Sequence, residues 1–159
     1  MQFYTVIGAI LVAACGLEGA RRLNGSVESE LVRLRACISL FRYVRSQIDL
    51  YALPIGEIFE RCDREALLLC GWTAEEPPST FGELFDCVRI GDKEAEKIIF
   101  EFCSDFGKNY REEQLKRCDG CISALERRGE CLSGEVPNKK KLNLTLCLCA
   151  SAALIILLI

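Results

Sequence analysis

The sequence predicts an all-α protein: a membrane-anchored helical bundle flanked by N- and C-terminal transmembrane helices. Three observations lead there. Every charged side chain of the 159 residues lies between Glu18 and Lys141, which leaves two charge-free ends. Between those ends, apolar residues recur at steps of three and four, the period of an amphipathic helix. No segment shows the convincing alternation of a half-buried strand.

The first element is read as a transmembrane helix over residues 1–20, built around QFYTVIGAILVAACGL. It is short for a span, and two other readings stay open. A signal peptide has a similar length. Val12-Ala13-Ala14-Cys15 also has the form of a lipoprotein cleavage box, with Cys15 as the lipidated residue. Such signals normally open on a basic stretch, and Met1–Thr5 has no Lys or Arg.

The last element, residues 142–159, is LNLTLCLCASAALIILLI, read as a second transmembrane helix. Eighteen residues of helix span about 27 Å, close to a hydrocarbon core of about 30 Å. A domain as charged as the middle of this chain has little use for a buried helix that is apolar nearly all round. Arg21 and Arg22 follow the first span, and Lys139, Lys140 and Lys141 precede the second. The positive-inside bias therefore puts the middle domain, residues 21–141, in the cytoplasm. Small residues at four-residue spacing (Ala9/Ala13, Cys147/Ser151 and Cys149/Ala153) would permit close helix contact in lipid.

The middle domain reads as about five amphipathic helices joined by short turns. Ser26 is the expected N-cap of the first, with Glu28 and Glu30 in its first turn. Its stripe is Val27, Leu31, Leu34, Ile38, Phe41, Val44, Ile48 and Tyr51, opposite Arg33, Arg35, Arg42 and Asp49, and Pro54 stops it. A second helix follows with Ile55, Ile58, Phe59, Cys62, Ala66 and Leu69 on one face and Gly71 as its stop. Trp72 to Ser79 is a loop around Glu75-Glu76-Pro77-Pro78. Thr80-Phe81-Gly82-Glu83 has capping-box spacing and opens a short helix with Phe81, Leu84, Phe85 and Val88. Gly91-Asp92 re-caps the chain for a helix with Ile98, Ile99, Phe102 and Phe106 inward, closed by Gly107. The last soluble helix starts near Tyr110. Leu115, Cys118, Ile122, Leu125, Gly129, Leu132 and Val136 form a weak heptad seam or one face of a bundle. Gly134 and Pro137 are expected to interrupt it before the membrane.

The residues exclude several chemistries. Twenty Lys+Arg against 23 Asp+Glu, a net charge of −3, argues against a nucleic-acid binder. With no histidine, neither a Ser-His-Asp nor a Cys-His arrangement can form. No phosphate loop or nucleophile elbow is present. Glu75-Glu76 and Glu112-Glu113 read as solvated pairs. No catalytic, cofactor-binding or metal-ligating residue is expected, and no small-molecule substrate. The 11 cysteines are an odd number, unlike a secreted disulfide framework. Cys37, Cys62, Cys87 and Cys103 sit where a helix wants a small apolar residue. Cys118-Asp119-Gly120-Cys121 is a lone CxxC inside a helical pattern. It leaves open an alternative function, a membrane-surface thiol protein doing redox or metal chemistry through Cys118 and Cys121.

Several pieces occur together in order. Ile7-Gly8-Ala9 and Gly16-Leu17-Glu18 mark a first span and its exit. Leu31, Leu34, Leu40, Ile48, Pro54 and Ile55 form a leucine-rich helix running into a proline junction. Phe102 to Gly107 precedes a charged helix with Gln114, Leu125 and Glu126, and the chain closes on Leu154-Ile155-Ile156-Leu157-Leu158-Ile159. In this layout the chain resembles the stage III sporulation protein AB family of endospore-forming bacteria. The soluble domain of that family is similar to the cytoplasmic domain of type II secretion F proteins. The resemblance covers nearly the whole chain. It implies a non-enzymatic platform in the channel complex between mother cell and forespore. The platform would sit in the mother-cell membrane around the forespore and dock the complex's ATPase and other membrane proteins. The resemblance supplies no catalytic residues. On that reading Arg33, Arg35, Arg42 and Arg45 of the first soluble helix are the candidate partner contacts.

Overall fold

Local capping and tertiary packing together decide where the helical period is cut. The computed structural model describes residues 2–106 and 110–158. Gly107 and the side chain of Ala9 lie outside the described residues. Among the described residues the protein is all-helical, without a strand, in six helices: α1 Gln2–Tyr51, α2 Ile55–Glu60, α3 Arg64–Cys70, α4 Phe81–Cys87, α5 Lys93–Asp105 and α6 Arg111–Leu158.

Two expected breaks do not occur. α1 runs without interruption through Ser26, which lies in its interior; its carbonyl accepts a hydrogen bond from Ser29 Oγ at 2.8 Å. A cap contributes about 1 kcal/mol, whereas stopping and restarting a helix requires a new nucleus. With neither Pro nor a left-handed residue there, propagation wins. α6 likewise continues through Gly129, Gly134 and Pro137. Pro137 removes one intrahelical hydrogen bond, but the helix is held on both sides of it. Leu125 and Leu132 are buried on one side, and the Lys139–Glu135 ion pair at 2.9 Å brackets the proline.

One unexpected break does occur. The second soluble helix is two, α2 and α3, separated at Arg61–Asp63. Asp63 is extended, and its side chain accepts from Glu65 N at 3.1 Å, so this short polar residue caps a new helix rather than continuing the old one. The other punctuation falls where expected. Gly71 ends α3 in the left-handed region at φ 106°. Thr80 Oγ1 accepts from Glu83 N at 3.1 Å while Glu83 Oε2 accepts from Ser79 N at 2.7 Å. Asp92 caps α5 through Ala95 N at 2.8 Å. α1 ends before Pro54, with Ala52 in the left-handed region at φ 51°.

The chain divides into two compact units, Met1–Ser29 with Leu132–Ile159, and Glu30–Cys131. These limits lie inside the expected boundaries at 20/21 and 141/142. The reason is that the two helical arms of the first unit keep pairing past their charge-free stretches: Asn143 Nδ2 donates to Asn24 Oδ1 at 3.2 Å, and Lys140 pairs with Glu28. The arms run antiparallel, because Gly16 lies opposite Ser151, Asn24 opposite Asn143 and Glu28 opposite Lys140. A Cβ on Gly16 would overlap Ser151 Oγ and come within 3.3 Å of the Cys147 carbonyl, so glycine lets the arms approach closely there. Cys147 and Ser151 share this contact, whereas Ala13, Cys149 and Ala153 are exposed.

α6 is the one helix among the described residues long and apolar enough to cross a membrane. Its most apolar eighteen-residue stretch has a mean hydropathy of 1.6 and is only 6% buried. A core helix of a soluble protein shows the opposite burial.

The second unit closes its own core. Leu34, Ile38, Phe41, Val44 and Ile48 of the α1 stripe are buried, as are Cys118, Ile122 and Leu125 of α6. Gly129 lets α6 approach Leu34 and Ile38 of α1. Phe41 is fully buried between Phe81 at 5.2 Å, Phe85 at 5.8 Å and Phe102 at 5.0 Å between ring centroids, joining α1 to α4 and α5. Tyr51, expected on the stripe, is exposed because the helix ends there.

Candidate functional site: the α1 arginine face and the α4–α5 cleft

The α1 helix sets its polar face by periodicity. Positions 35, 42 and 45 fall away from the buried stripe, and the structure shows what each arginine does. Arg33 Nη1 donates to the Arg89 carbonyl at 2.9 Å, tying α1 to the α4–α5 connection. Arg42 Nη2 meets Glu126 Oε1 of α6 at 2.5 Å. Arg45 pairs with Asp49 one turn on and with Asp119 of α6, both at 3.0 Å. The hydrogen bond to Asp119 raises the Arg45 pKa above its ordinary value. Three of the four candidate contacts therefore have intramolecular work, as staples between α1 and its neighbours. Solvent screens these exposed contacts, so they fix geometry more than they stabilise the fold. Arg35 is exposed and makes no ion pair or side-chain hydrogen bond among the described residues. The sequence separates polar from apolar faces but carries no sign of which charge across the bundle each arginine meets.

Cys118 and Cys121 lie on the buried face of α6, one turn apart. Burial pushes Cys118 up to about 11 and Cys121 up to about 12. Both therefore stay protonated near neutral pH, the opposite of a thiol activated at a helix N-terminus. Burial also lifts Cys103 of α5 to about 12. Cys37 is raised too, by a hydrogen bond with Cys70 and then by burial; both are fully buried. Cys87, by contrast, is exposed. Among the described residues no three side chains suited to a metal come together. Glu75, Glu76, Glu112 and Glu113 are exposed, as a solvated reading requires.

The feature that periodicity missed is a cleft of about 670 Å³ between α4 and α5. Phe85, Val88, Ile99 and Phe100 line it, with Arg89, Lys93 and Lys97 at its edge. Phe100 is 73% exposed although its neighbour Ile99 is buried. The available signal was the spacing Phe100-x-Phe102. Residues two apart point to different helix faces, so one of the two aromatics had to leave the core. Comparison of the chain with family models, with curated proteins and with solved structures gives no match.

Proposed function

We propose that the protein is a non-enzymatic membrane platform of the sporulation channel complex, a type II secretion F-like helical domain held at the mother-cell membrane. It docks the complex's ATPase and other membrane proteins. The observation that carries this reading is the exposed apolar stretch of α6 on the same chain as a helical unit that closes its own core. Apolar surface left in water costs about 25 cal/mol per Å², so such a helix finds lipid or a partner. The resemblance of the sequence supplies the complex, and the basic residues Arg21, Arg22 and Lys139–Lys141 support a domain facing the cytoplasm. The N-terminal arm spans beside α6 in this reading. Arg35 is the first of the four arginines to test as a partner contact, because among the described residues it has no ion pair to lose. The alternative thiol function through Cys118 and Cys121 draws no support from their burial.

The test is a detergent pull-down of the tagged full-length protein from sporulating cells, with partners identified by mass. Recovery of an ATPase together with other membrane components is the expected result. Recovery of the protein alone, under conditions that keep a known membrane complex intact, would overturn the platform reading.

A further inference from the structure

We propose that the α4–α5 cleft is a docking groove for an amphipathic helix of a protein partner that carries carboxylates beside its apolar face. The floor is apolar: Phe85 and Val88 on one side, Ile99 and Phe100 on the other. The length favours an elongated occupant. Lining residues on α5 run from Lys93 to Ser104, three turns or about 16 Å of helix. A helix presenting residues at i, i+3, i+4 and i+7 fits such a floor.

The charge at the rim specifies the partner's chemistry. Arg89 and Lys93 are exposed and make no side-chain ion pair among the described residues. Lys97 has only a loose pair with Glu101, at 3.8 Å with both side chains mostly exposed. Of the acids lining the cleft, Glu96 is already engaged. Its Oε1 accepts from the backbone of Ile90 at 3.0 Å and of Gly91 at 3.2 Å. Asp86 is the other. The rim therefore holds more cationic than anionic hydrogen-bonding capacity. Lys93 opens α5 beside the Asp92 cap and the first-turn acids Glu94 and Glu96, which already offset the helix dipole. Its exposed ammonium is left to meet an incoming carboxylate directly.

The groove needs only a helical protein partner, so it stands whether or not the ATPase proposed above is that partner. The experiment is selection of a displayed library of helical peptides on the purified full-length protein in detergent. The expected winners carry an apolar stripe flanked by Asp or Glu. They lose at least tenfold in affinity to Phe100→Ala and to Lys93→Glu, and less than twofold to Arg35→Glu on the α1 face. Circular dichroism confirms that each variant keeps its helicity. Enrichment of basic sequences, of sequences without helical spacing, or of none overturns the proposal. So does binding that Phe100→Ala and Lys93→Glu leave unchanged. A failed pull-down beside a successful selection would discard the platform reading and leave the groove.

Discussion

Asp92 offers the sharpest test of what holds the second unit together. Its carboxylate caps α5 through Ala95 N at 2.8 Å and also accepts a two-pronged contact from Arg128 of α6, Nε at 2.9 Å and Nη2 at 2.7 Å. The side chains are only 10% and 21% exposed, so solvent screens the pair weakly. Removing the cap costs about 1 kcal/mol. Leaving one partner of a buried pair alone costs about 3–5 kcal/mol. Arg128 keeps Glu94 at 3.1 Å and some solvent, so about 2 kcal/mol is the appropriate share here. Asp92→Ala is therefore expected to destabilise by about 3 kcal/mol. Asp92→Asn, which keeps the capping oxygen, costs about 2 kcal/mol. Adding Arg128→Met to Asp92→Ala recovers part of the loss, leaving a coupling of about 1.5 kcal/mol. The assay is urea unfolding of the full-length protein in detergent micelles. Trp72, the single tryptophan, is buried in the second unit and reports on it. Strict additivity of the two single variants, or a loss under about 1 kcal/mol for Asp92→Ala, would refute this assignment of the pair.

Five further outcomes follow from the geometry. Gly16→Ala drives a methyl into Ser151 Oγ and should lower resistance to SDS unfolding; adding Ser151→Gly should restore most of it, and an indifferent Gly16→Ala would show that the arms do not pack this closely. Gly91 sits at φ 96° with Glu30 Cγ 2.7 Å from any added Cβ, so Gly91→Ala should cost about 1–2 kcal/mol on the Trp72 signal, with no change counting against the packing. Ala52, left-handed at φ 51°, should gain about 0.5–1 kcal/mol on change to Gly, read by the same unfolding curve. The buried thiols predict selective chemistry: near pH 8, iodoacetamide should modify Cys87 and spare Cys118 and Cys121, as peptide mapping by mass will show. The folded-state values of Cys118 and Cys121 lie above the ordinary 9.0, so the unfolded chain loses these protons first. Their contribution to stability is complete below pH 9 and shrinks as pH rises towards 12, which equilibrium unfolding at a series of pH values will follow.

The all-helical class and most of the punctuation were legible in the residues alone. Steps of three and four apolar residues placed Leu34, Phe41 and Val44 on the inner face of α1, and Cys118, Ile122 and Leu125 on that of α6. These six residues are buried because helical periodicity translates directly into a face. Gly71, Thr80 and Asp92 worked as local signals because a left-handed residue or a capping oxygen acts within its own turn. The charge-free stretch of residues 142–159 likewise needed no folding to be read as a helix with no place in a charged core.

Tertiary structure decided the rest. Ser26 looked like a cap and Pro137 like a stop, but whether a helix ends depends on the free energy of continuing it, which distant contacts set. Asp63 split one expected helix into two through a single local hydrogen bond that competes with propagation. The arginines of α1 all looked alike in sequence. Only the neighbours across the bundle made Arg42 and Arg45 staples to α6 and left Arg35 without a partner among the described residues. Phe100 is the same lesson from the apolar side. A side chain's face follows from its position along the helix, but whether another element covers that face depends on where the chain returns in space.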